Sequence, residues 1–298
     1  MSTALIGLRA ETSIHAGAGA SLGAIDLPIQ REHHGDWPVI FGSSIKGAWR
    51  EMAERQWTND DGRSKVASVF GPETTADGHG GALLPSDARL LLLPVRSLTT
   101  QFRWVTCPWL LRRFVRDCQR FGQAELANFG DILAPGDNRQ ALVPRGAAPT
   151  RLMLAEFLFN VEDCDLSSLI CKLAALLGDT QATPDLTQLL TIVSDDRFRF
   201  LARYCTPVDP HVKLESNKTV ASGALWYEET LPPETIMYIC AAAEDERAPV
   251  GEGQARRSAM QALTDAVGVF TQKPYFRVGG NETVGMGWFK TTVLGMGG

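Results

Sequence analysis

The chain is poor in the patterns from which several function classes are built. Its six cysteines, at positions 107, 118, 164, 171, 205 and 240, include no Cys-x-x-Cys pair, and none of its five histidines stands at ligand spacing from them. That excludes the usual zinc sites, and the cysteines read as reduced, mostly buried thiols of a cytoplasmic protein. Long apolar runs are missing too. The longest, Leu90 to Val95, is interrupted by Pro94 and falls far short of the roughly 20 residues that cross a bilayer, so no membrane partner is expected. No basic segment precedes an apolar core near Met1, so no secretory signal is expected. Positive charge is not in surplus: 29 Lys and Arg stand against 34 Asp and Glu, a formal net charge of −5. The overall basic footprint of many nucleic-acid binders is therefore lacking, and the placement of charge matters more than its sum. Basic residues cluster as Lys46/Arg50/Arg55, as Arg112/Arg113/Arg116/Arg120 and as Arg256/Arg257, while acids gather at Asp60/Asp61 and from Glu228 to Glu246. Internal repeats and low-complexity tracts are absent.

What is present is an ordinary globular composition, 44% hydrophobic over 298 residues, enough for a sizeable core. Strand-like runs cover Leu5–Thr12, Arg89–Val95, Met153–Phe159, Thr235–Ala243 and Pro274–Val278, and a last one starts at Trp288. In the first, Leu8 and Ala10 alternate with Arg9 and Glu11 as in a half-buried strand. Helical patterns run from Ser43 or Ser44, as cap, to about Trp57, with Ile45, Ala48, Trp49, Met52 and Ala53 on one face. Others cover Pro108–Phe121, residues 166–177, Thr183–Val193 and Glu252–Phe270. Pro210 to Tyr227 alternates on both sides of Ser216-Asn217-Lys218, the signature of a β-hairpin. This order predicts an α+β fold with helices on one face of a sheet.

Two segments carry chemistry. The first is Arg277-Val-Gly-Gly-Asn-Glu-Thr-Val-Gly-Met-Gly-Trp288, with glycines at 279, 280, 285 and 287 between two strands. A loop with so few side chains can lay its N–H groups against an anion, and glycine tolerates the positive φ such a turn requires. Its spacing matches neither the dinucleotide nor the P-loop fingerprint, which leaves a long hairpin turn or an anion cradle. The second runs from the glycine-rich stretch His15–Ala24 through Asp26 to Phe41-Gly-Ser-Ser-Ile-Lys46-Gly-Ala-Trp-Arg50. There a helix N-terminus with Ser43, Ser44 and Lys46 in its first turns forms a candidate phosphate site; simple capping by the serines and a solvated lysine are the plain alternatives.

Together, the Gly-Ser-Ser-x-Lys-Gly-x-x-Arg helix start and the Gly-Gly-Asn-Glu-Thr-x-Gly-x-Gly loop resemble the RAMP superfamily of CRISPR proteins. Gly23-Ala-Ile-Asp26-Leu-Pro-Ile-Gln-Arg-Glu32 and Leu225-Trp-Tyr-Glu-Glu-Thr-Leu-Pro232 are similar to the backbone subunit of the type III-B (Cmr) effector complex. Phe41 and Met286 depart from the family pattern, standing where proline and a basic residue are common. The resemblance implies one elaborated RAMP domain over 1–298, with a ferredoxin-like, RNA-recognition-type core. Insertions are expected at about 60–82 and 97–150, a helical one at about 165–205, and a β-hairpin thumb at about 210–225.

It further implies several copies assembled along a CRISPR guide RNA, with other type III-B subunits and target single-stranded RNA as partners. The target would be cut at regular intervals by a metal-dependent endoribonuclease activity, with Asp26 matching the catalytic residue. A free carboxylate titrates near pH 4, too low for an efficient general base at neutral pH, so Asp26 reads as the ligand or orienter of a divalent ion, Mg2+ by preference. His15, Tyr227 and Glu228 are candidate auxiliary catalytic residues. Ser43, Ser44, Lys46, Arg50, Gly279, Gly280, Asn281, Gly285, Gly287, Lys213 and Lys218 are candidate RNA contacts. Three other readings stay open: a filament subunit that binds guide RNA without cutting, a RAMP endonuclease that processes precursor RNA through His15, and a small-nucleotide enzyme using the glycine loop, which no Walker-type lysine supports.

Overall fold

The computed structural model describes residues 1–73, 78–146, 151–179, 181–248 and 255–297. In chain order, its first part comprises β1 (Ser2–Ala10), β2 (Val39–Ile40), α1 (Gly42–Gln56), α2 (Asp60–Phe70), β3 (Leu83–Pro85), β4 (Ala88–Arg96) and β5 (Phe102–Thr106). The middle holds α3 (Pro108–Arg120), α4 (Ala124–Ala127), β6 (Gln140–Pro144), β7 (Arg151–Leu154), β8 (Phe157–Cys164), α5 (Ser167–Leu177), α6 (Ala182–Leu189), β9 (Leu190–Ile192) and α7 (Asp195–Tyr204). The last part consists of β10 (Val208–Leu214), β11 (Val220–Glu229), β12 (Ile236–Ala243), α8 (Ala259–Gln272), β13 (Tyr275–Arg277) and β14 (Trp288–Gly297).

Twelve of these strands join one mixed sheet in the order β13-β14-β1-β12-β4-β5-β9-β6-β8-β7, with β2 beside β4 and β3 beside β12. The central run β14-β1-β12-β4 is antiparallel throughout. Along the chain, α1 falls between β1 and β4, and α8 between β12 and β14. Among the described strands β10 and β11 pair with each other, as a separate hairpin. Among the described residues no helix is long and apolar enough to cross a membrane.

Helices cover both faces of the sheet, not one as the element order had led us to expect. Ala4, Ile6, Leu8 and Ala10 of β1 and Met237, Ile239, Ala241 and Ala243 of β12 face a core shared with α1, α2 and α8. Leu5 of β1 and Ile236, Tyr238 and Cys240 of β12 face a second core with α3, α5 and α6. A strand buried on both sides reads as a continuous apolar run, and every residue of β12 is buried. The alternation read in β1 is confined to its last residues, where Arg9 reaches Glu11 and Asp179. Gly7 marks the closest approach: a Cβ there would lie 2.1 Å from the carbonyl oxygen of Leu176 in α5. All six cysteines are free thiols, and burial pushes those of Cys118 and Cys240 up to about 12, so they serve as small core residues.

Other differences are confined to single elements. The strand expected over Met153–Phe159 is broken into β7 and β8 by a turn in which Ala155 adopts φ 50°. The helix expected over Thr183–Val193 stops at Leu189, because Leu190–Ile192 pairs in parallel with Trp104–Thr106 of β5. α7 lies within the helical insertion expected at about 165–205 but was not read as a separate helix, although Ser194 accepts the Arg197 N–H and Asp195 and Asp196 fill the first turn. Asp60 and Asp61 likewise sit in the first turn of α2, capped by Asn59. α8 starts at a Ser258/Gln261 capping box; residues 252–254 of the expected helix lie outside the described residues. The hairpin spans 208–229, a little beyond both ends of the expected thumb.

Trp49 is fully buried, donates its indole N–H to Ala266 O at 2.9 Å and packs on Phe270 and Phe276. Trp49→Ala is expected to lower stability by roughly 3–5 kcal/mol, seen as a lower urea midpoint with an unchanged slope.

Candidate active site

After β1 the chain doubles back on itself. Gln30 N–H donates to Ala16 O (2.8 Å), Ala18 N–H to Pro28 O (2.9 Å) and Ser21 N–H to Asp26 O (2.8 Å). Asp26 lies on the returning arm, which docks against the end of β11: Leu27 N–H donates to Tyr227 O and Glu229 N–H to Leu27 O, each at 3.0 Å. The half-buried Asp26 carboxylate joins the same seam, its Oδ2 accepting the Tyr227 N–H at 2.7 Å. No second hydrogen bond to Asp26 is made by the described side chains, so one carboxylate oxygen stays available. Tyr227 is 42% exposed.

Beneath this seam two glutamates are buried. Glu229 pairs with Arg31, and also accepts from Thr206 Oγ1 at 2.6 Å and from Ile29 N–H at 3.1 Å. The Arg31 guanidinium continues to the carbonyls of Asp36 (2.6 Å) and Ala202 (2.9 Å). One ion pair thus ties the Asp26 arm, the hairpin base and α7. Glu228 faces the glycine loop, where Asn281 Nδ2 donates to its Oε1 and His15 Nδ1 lies 3.4 Å away. His15 Nδ1 is 2.8 Å from Glu229 O; a carbonyl can only accept, so Nδ1 carries the proton. His15 is therefore turned inward, and the Asn281 amide is spent on Glu228.

The glycine loop is folded by its own bonds. The N–H groups of Gly280, Val284, Gly285, Met286 and Gly287 are held by His15 O, Asn281 O, Glu282 O, Asn281 O and Ser13 O respectively. Most of the expected N–H cradle is thus engaged within the protein. Gly279 and Gly287 are needed for a different reason: at φ 97° and 94°, a Cβ would lie 2.4 Å from His15 O and 2.8 Å from Val278 O. The loop is a clasp on the His15 segment, with the N–H groups of Gly279, Asn281, Glu282 and Thr283 left over from that bonding.

At α1 the cap is Phe41, not Ser43 or Ser44, and it makes no side-chain cap bond. The first N–H groups are taken by side chains from elsewhere: Phe41 N–H donates to Gln30 Oε1 (2.6 Å) and Gly42 N–H to Asp87 Oδ1 (2.7 Å). Ser43 stays exposed, while Ser44 Oγ accepts from Gln30 Nε2 at 3.3 Å. Along the helix, Arg50 binds Glu54 and the carbonyl of Gly71. Burial, then the nearby Arg247 and Arg50 charges, pull the Lys46 ammonium below the usual lysine value. Lys213 and Lys218 are exposed on the hairpin, Lys218 in its turn at φ 63°.

The fold therefore brings Asp26, Tyr227, Glu228, His15 and the glycine loop together, and sets Ser44 beside them through Gln30. Lys213 and Lys218 stand away on the hairpin. Sequence reading did not single out Arg31, Gln30, Thr206 or Asp87. Arg31 and Glu229 are 198 positions apart, and buried pairs so separated leave no local signature.

The sequence profile of the RAMP superfamily matches residues 8–290. The chain is 31% identical over 302 residues to the CRISPR system Cmr endoribonuclease Cmr4 of Pyrococcus furiosus, spanning 98% of this chain and 96% of that protein. It is also similar to the crystal structure of oligomeric Cmr4 from Pyrococcus furiosus, with a TM-score of 0.71, 27% identity and 98% of each chain covered. A chain of the type III-B Cmr-beta complex bound to cognate target RNA shares the fold, with a TM-score of 0.75 at 21% identity, covering 98% of this chain and 96% of that one.

Removing one partner of the Arg31–Glu229 pair should strand a buried charge. Glu229→Leu is expected to cost about 3–5 kcal/mol, with Arg31→Met/Glu229→Leu recovering much of it. Losses in Arg31→Met and Glu229→Leu that simply add in the double variant, by urea denaturation, would show that the two groups are not coupled.

Proposed function

The chain belongs to the RAMP superfamily, and on that premise we propose that it is a guide-RNA-binding backbone subunit of a type III-B CRISPR effector complex that cleaves complementary target RNA. The observation that carries this reading is the Asp26 carboxylate, bonded to the Tyr227 N–H where the hairpin leaves the body. The similarity to the Cmr4 endoribonuclease runs over nearly the whole chain and supports the same assignment. Strands β14-β1-β12-β4 with α1 and α8 have the order and connections of a ferredoxin-like core, which supports an RNA-recognition-type platform. Partners on this reading are guide RNA, target RNA, further copies of the chain and other type III-B subunits, in the cytoplasm.

RNA is cut by its own 2′-hydroxyl only when that oxygen, the phosphorus and the leaving oxygen lie in line. A-form stacking holds them out of line, so distortion and positioning supply much of the rate. The β10–β11 hairpin acts as the wedge. Asp26, fixed by backbone bonds to the wedge's base, presents one carboxylate oxygen to the distorted linkage and orients the attacking hydroxyl. Tyr227 offers a ring and a hydroxyl at the same place. Glu228 and His15 position the glycine loop beneath it. Lys46, Arg50, Ser43, Ser44, Lys213, Lys218 and the unused loop N–H groups contact phosphates, while target sequence is read by pairing with the guide.

Among the described residues no group of three or more His, Cys, Asp or Glu side chains converges. A magnesium-type ion needs only one or two carboxylates beside phosphate oxygens and water, so the available Asp26 oxygen fits an ion shared with RNA. When bound, such an ion supplies stabilisation of charge on the phosphate oxygens.

In a reconstituted complex, Asp26→Ala is expected to reduce periodic target cleavage by roughly 10²-fold or more while guide retention persists, and EDTA is expected to abolish wild-type cutting. Unchanged cuts in Asp26→Ala would leave the chain as a guide-binding filament subunit. Cutting of repeat RNA without a target duplex would make it a processing enzyme. Lys46 generates a second expectation. Its folded-state pKa lies below the usual 10.5, so its charge is lost as pH rises through that lowered value. Wild-type RNA affinity, followed by fluorescence anisotropy, should weaken at alkaline pH before that of Lys46→Arg; identical pH profiles would remove Lys46 from the RNA contact.

A further inference from the structure

The basic run on α3 lies outside the site described above. Arg113, Arg116 and Arg120 border a cleft of about 500 Å³ between α3, the segment after Arg31 and the start of α1. Most of the other cations there are matched: Arg31 by Glu229, Arg113 by Glu32 at 2.5 Å, and Arg89 by Asp117 at 2.6 Å. Arg116 has no carboxylate partner among the described residues. Arg120 is 70% exposed and only distantly paired, 3.8 Å from Asp117. Arg116 is thus without a carboxylate partner among the described residues, and Arg120 is held only by that long contact and by the Phe121 ring at 5.8 Å.

Beside them stands a large aromatic surface. Trp109, 42% exposed, has Arg116 over its ring at 6.0 Å and the ring of buried Trp37 at 6.3 Å. Arg113 lies over Trp37 at 5.6 Å, so the contacts run Arg116, Trp109, Trp37, Arg113. Arg113 Nε and Trp37 Nε1 are both buried without a hydrogen-bond partner among the described groups. An exposed indole packed on a second ring, next to exposed and weakly paired guanidinium groups, is the chemistry that stacks an unpaired base and grips its phosphates.

We propose that this cleft is a second RNA contact, in which Trp109 stacks a base of a single-stranded segment and Arg116 and Arg120 hold the adjacent phosphates. The inference rests on the reading of the chain as an RNA-binding subunit and adds a surface to it. Arg31 lines the cleft and also anchors the Asp26 arm, so RNA leaving the α1 and glycine-loop surface can continue into it. An acidic peptide would satisfy the arginines but has no flat ring for Trp109, which is why RNA is the favoured occupant.

The test uses the full chain and a labelled 40-nucleotide single-stranded RNA, read by anisotropy over a salt series. Arg116→Gln/Arg120→Gln should weaken binding and reduce the slope of log K against log salt by about 1.4, the value for two lost phosphate contacts on a single strand. Trp109→Ala should weaken binding by roughly fivefold or more and Trp109→Phe far less, because stacking needs a ring. Ultraviolet cross-linking should attach RNA to the Trp109 peptide. Lys46→Ala/Arg50→Ala serves as the reference. If that variant loses affinity while the cleft variants keep wild-type affinity, slope and cross-link, the cleft proposal is overturned and the main reading stands. Wild-type chain that retains no RNA overturns both. Equal, Arg116-dependent retention of polyglutamate, with no effect of Trp109→Ala on RNA, would reassign the cleft to an acidic peptide.

Discussion

The buried ion pair between Arg31 and Glu229 is the constraint on which the geometry of the site depends. Neither charge is tolerable alone at such depth, and together they are saturated by Thr206, Ile29 N–H and the carbonyls of Asp36 and Ala202. Such a pair contributes little net stability against an apolar replacement, but it admits only one arrangement of the groups around it. Here those groups are the arm bearing Asp26, the base of a two-stranded hairpin and the end of α7. Among the described strands the hairpin joins no other sheet, so its base is where its direction is set.

The glycine loop serves the same end from the other side. A loop of this composition invites comparison with anion cradles, because bare N–H groups are its obvious asset. In this fold most of them are turned onto the chain's own carbonyls, and the glycines at 279 and 287 permit backbone contacts that a Cβ would block. Asn281 and Glu228 complete the clasp. A buried polar group must find a partner, and the fold finds partners across 53 residues here and 198 at the ion pair. The α1 N-terminus obeys the same rule: Gln30 and Asp87 satisfy its first N–H groups before any ligand does.

Charge distribution follows from this economy of partners. A chain with a net charge of −5 still presents cations wherever carboxylates are buried or already paired. Asp117 shows how: Arg89 and the Tyr238 hydroxyl, 2.7 Å away, both bind it in the interior, leaving Arg120 only a 3.8 Å contact with it. Net charge alone is thus a weak guide to what such a surface binds.

Periodicity and local chemistry made much of the fold legible. The apolar stripes of α1 and α8, the α3 start at Pro108 and the 208–229 hairpin are written in short-range patterns, which depend on residues a few positions apart. The two motif segments, which stood out because glycines and Asp26 are features of type and spacing, are brought together by the fold. Helices on both faces of the sheet were not legible, because an apolar run does not say how many of its sides are covered. The break at Ala155 is a turn that lets β7 fold back on β8, whereas the end of α6 at Leu189 was decided by pairing with the distant β5. Inward rotation of His15, the engagement of the loop N–H groups and the Arg31–Glu229 pair belong to the same class. Composition and spacing determined which residues could form a site; only the tertiary structure decided which were free to act, because satisfying buried polar groups is a long-range requirement.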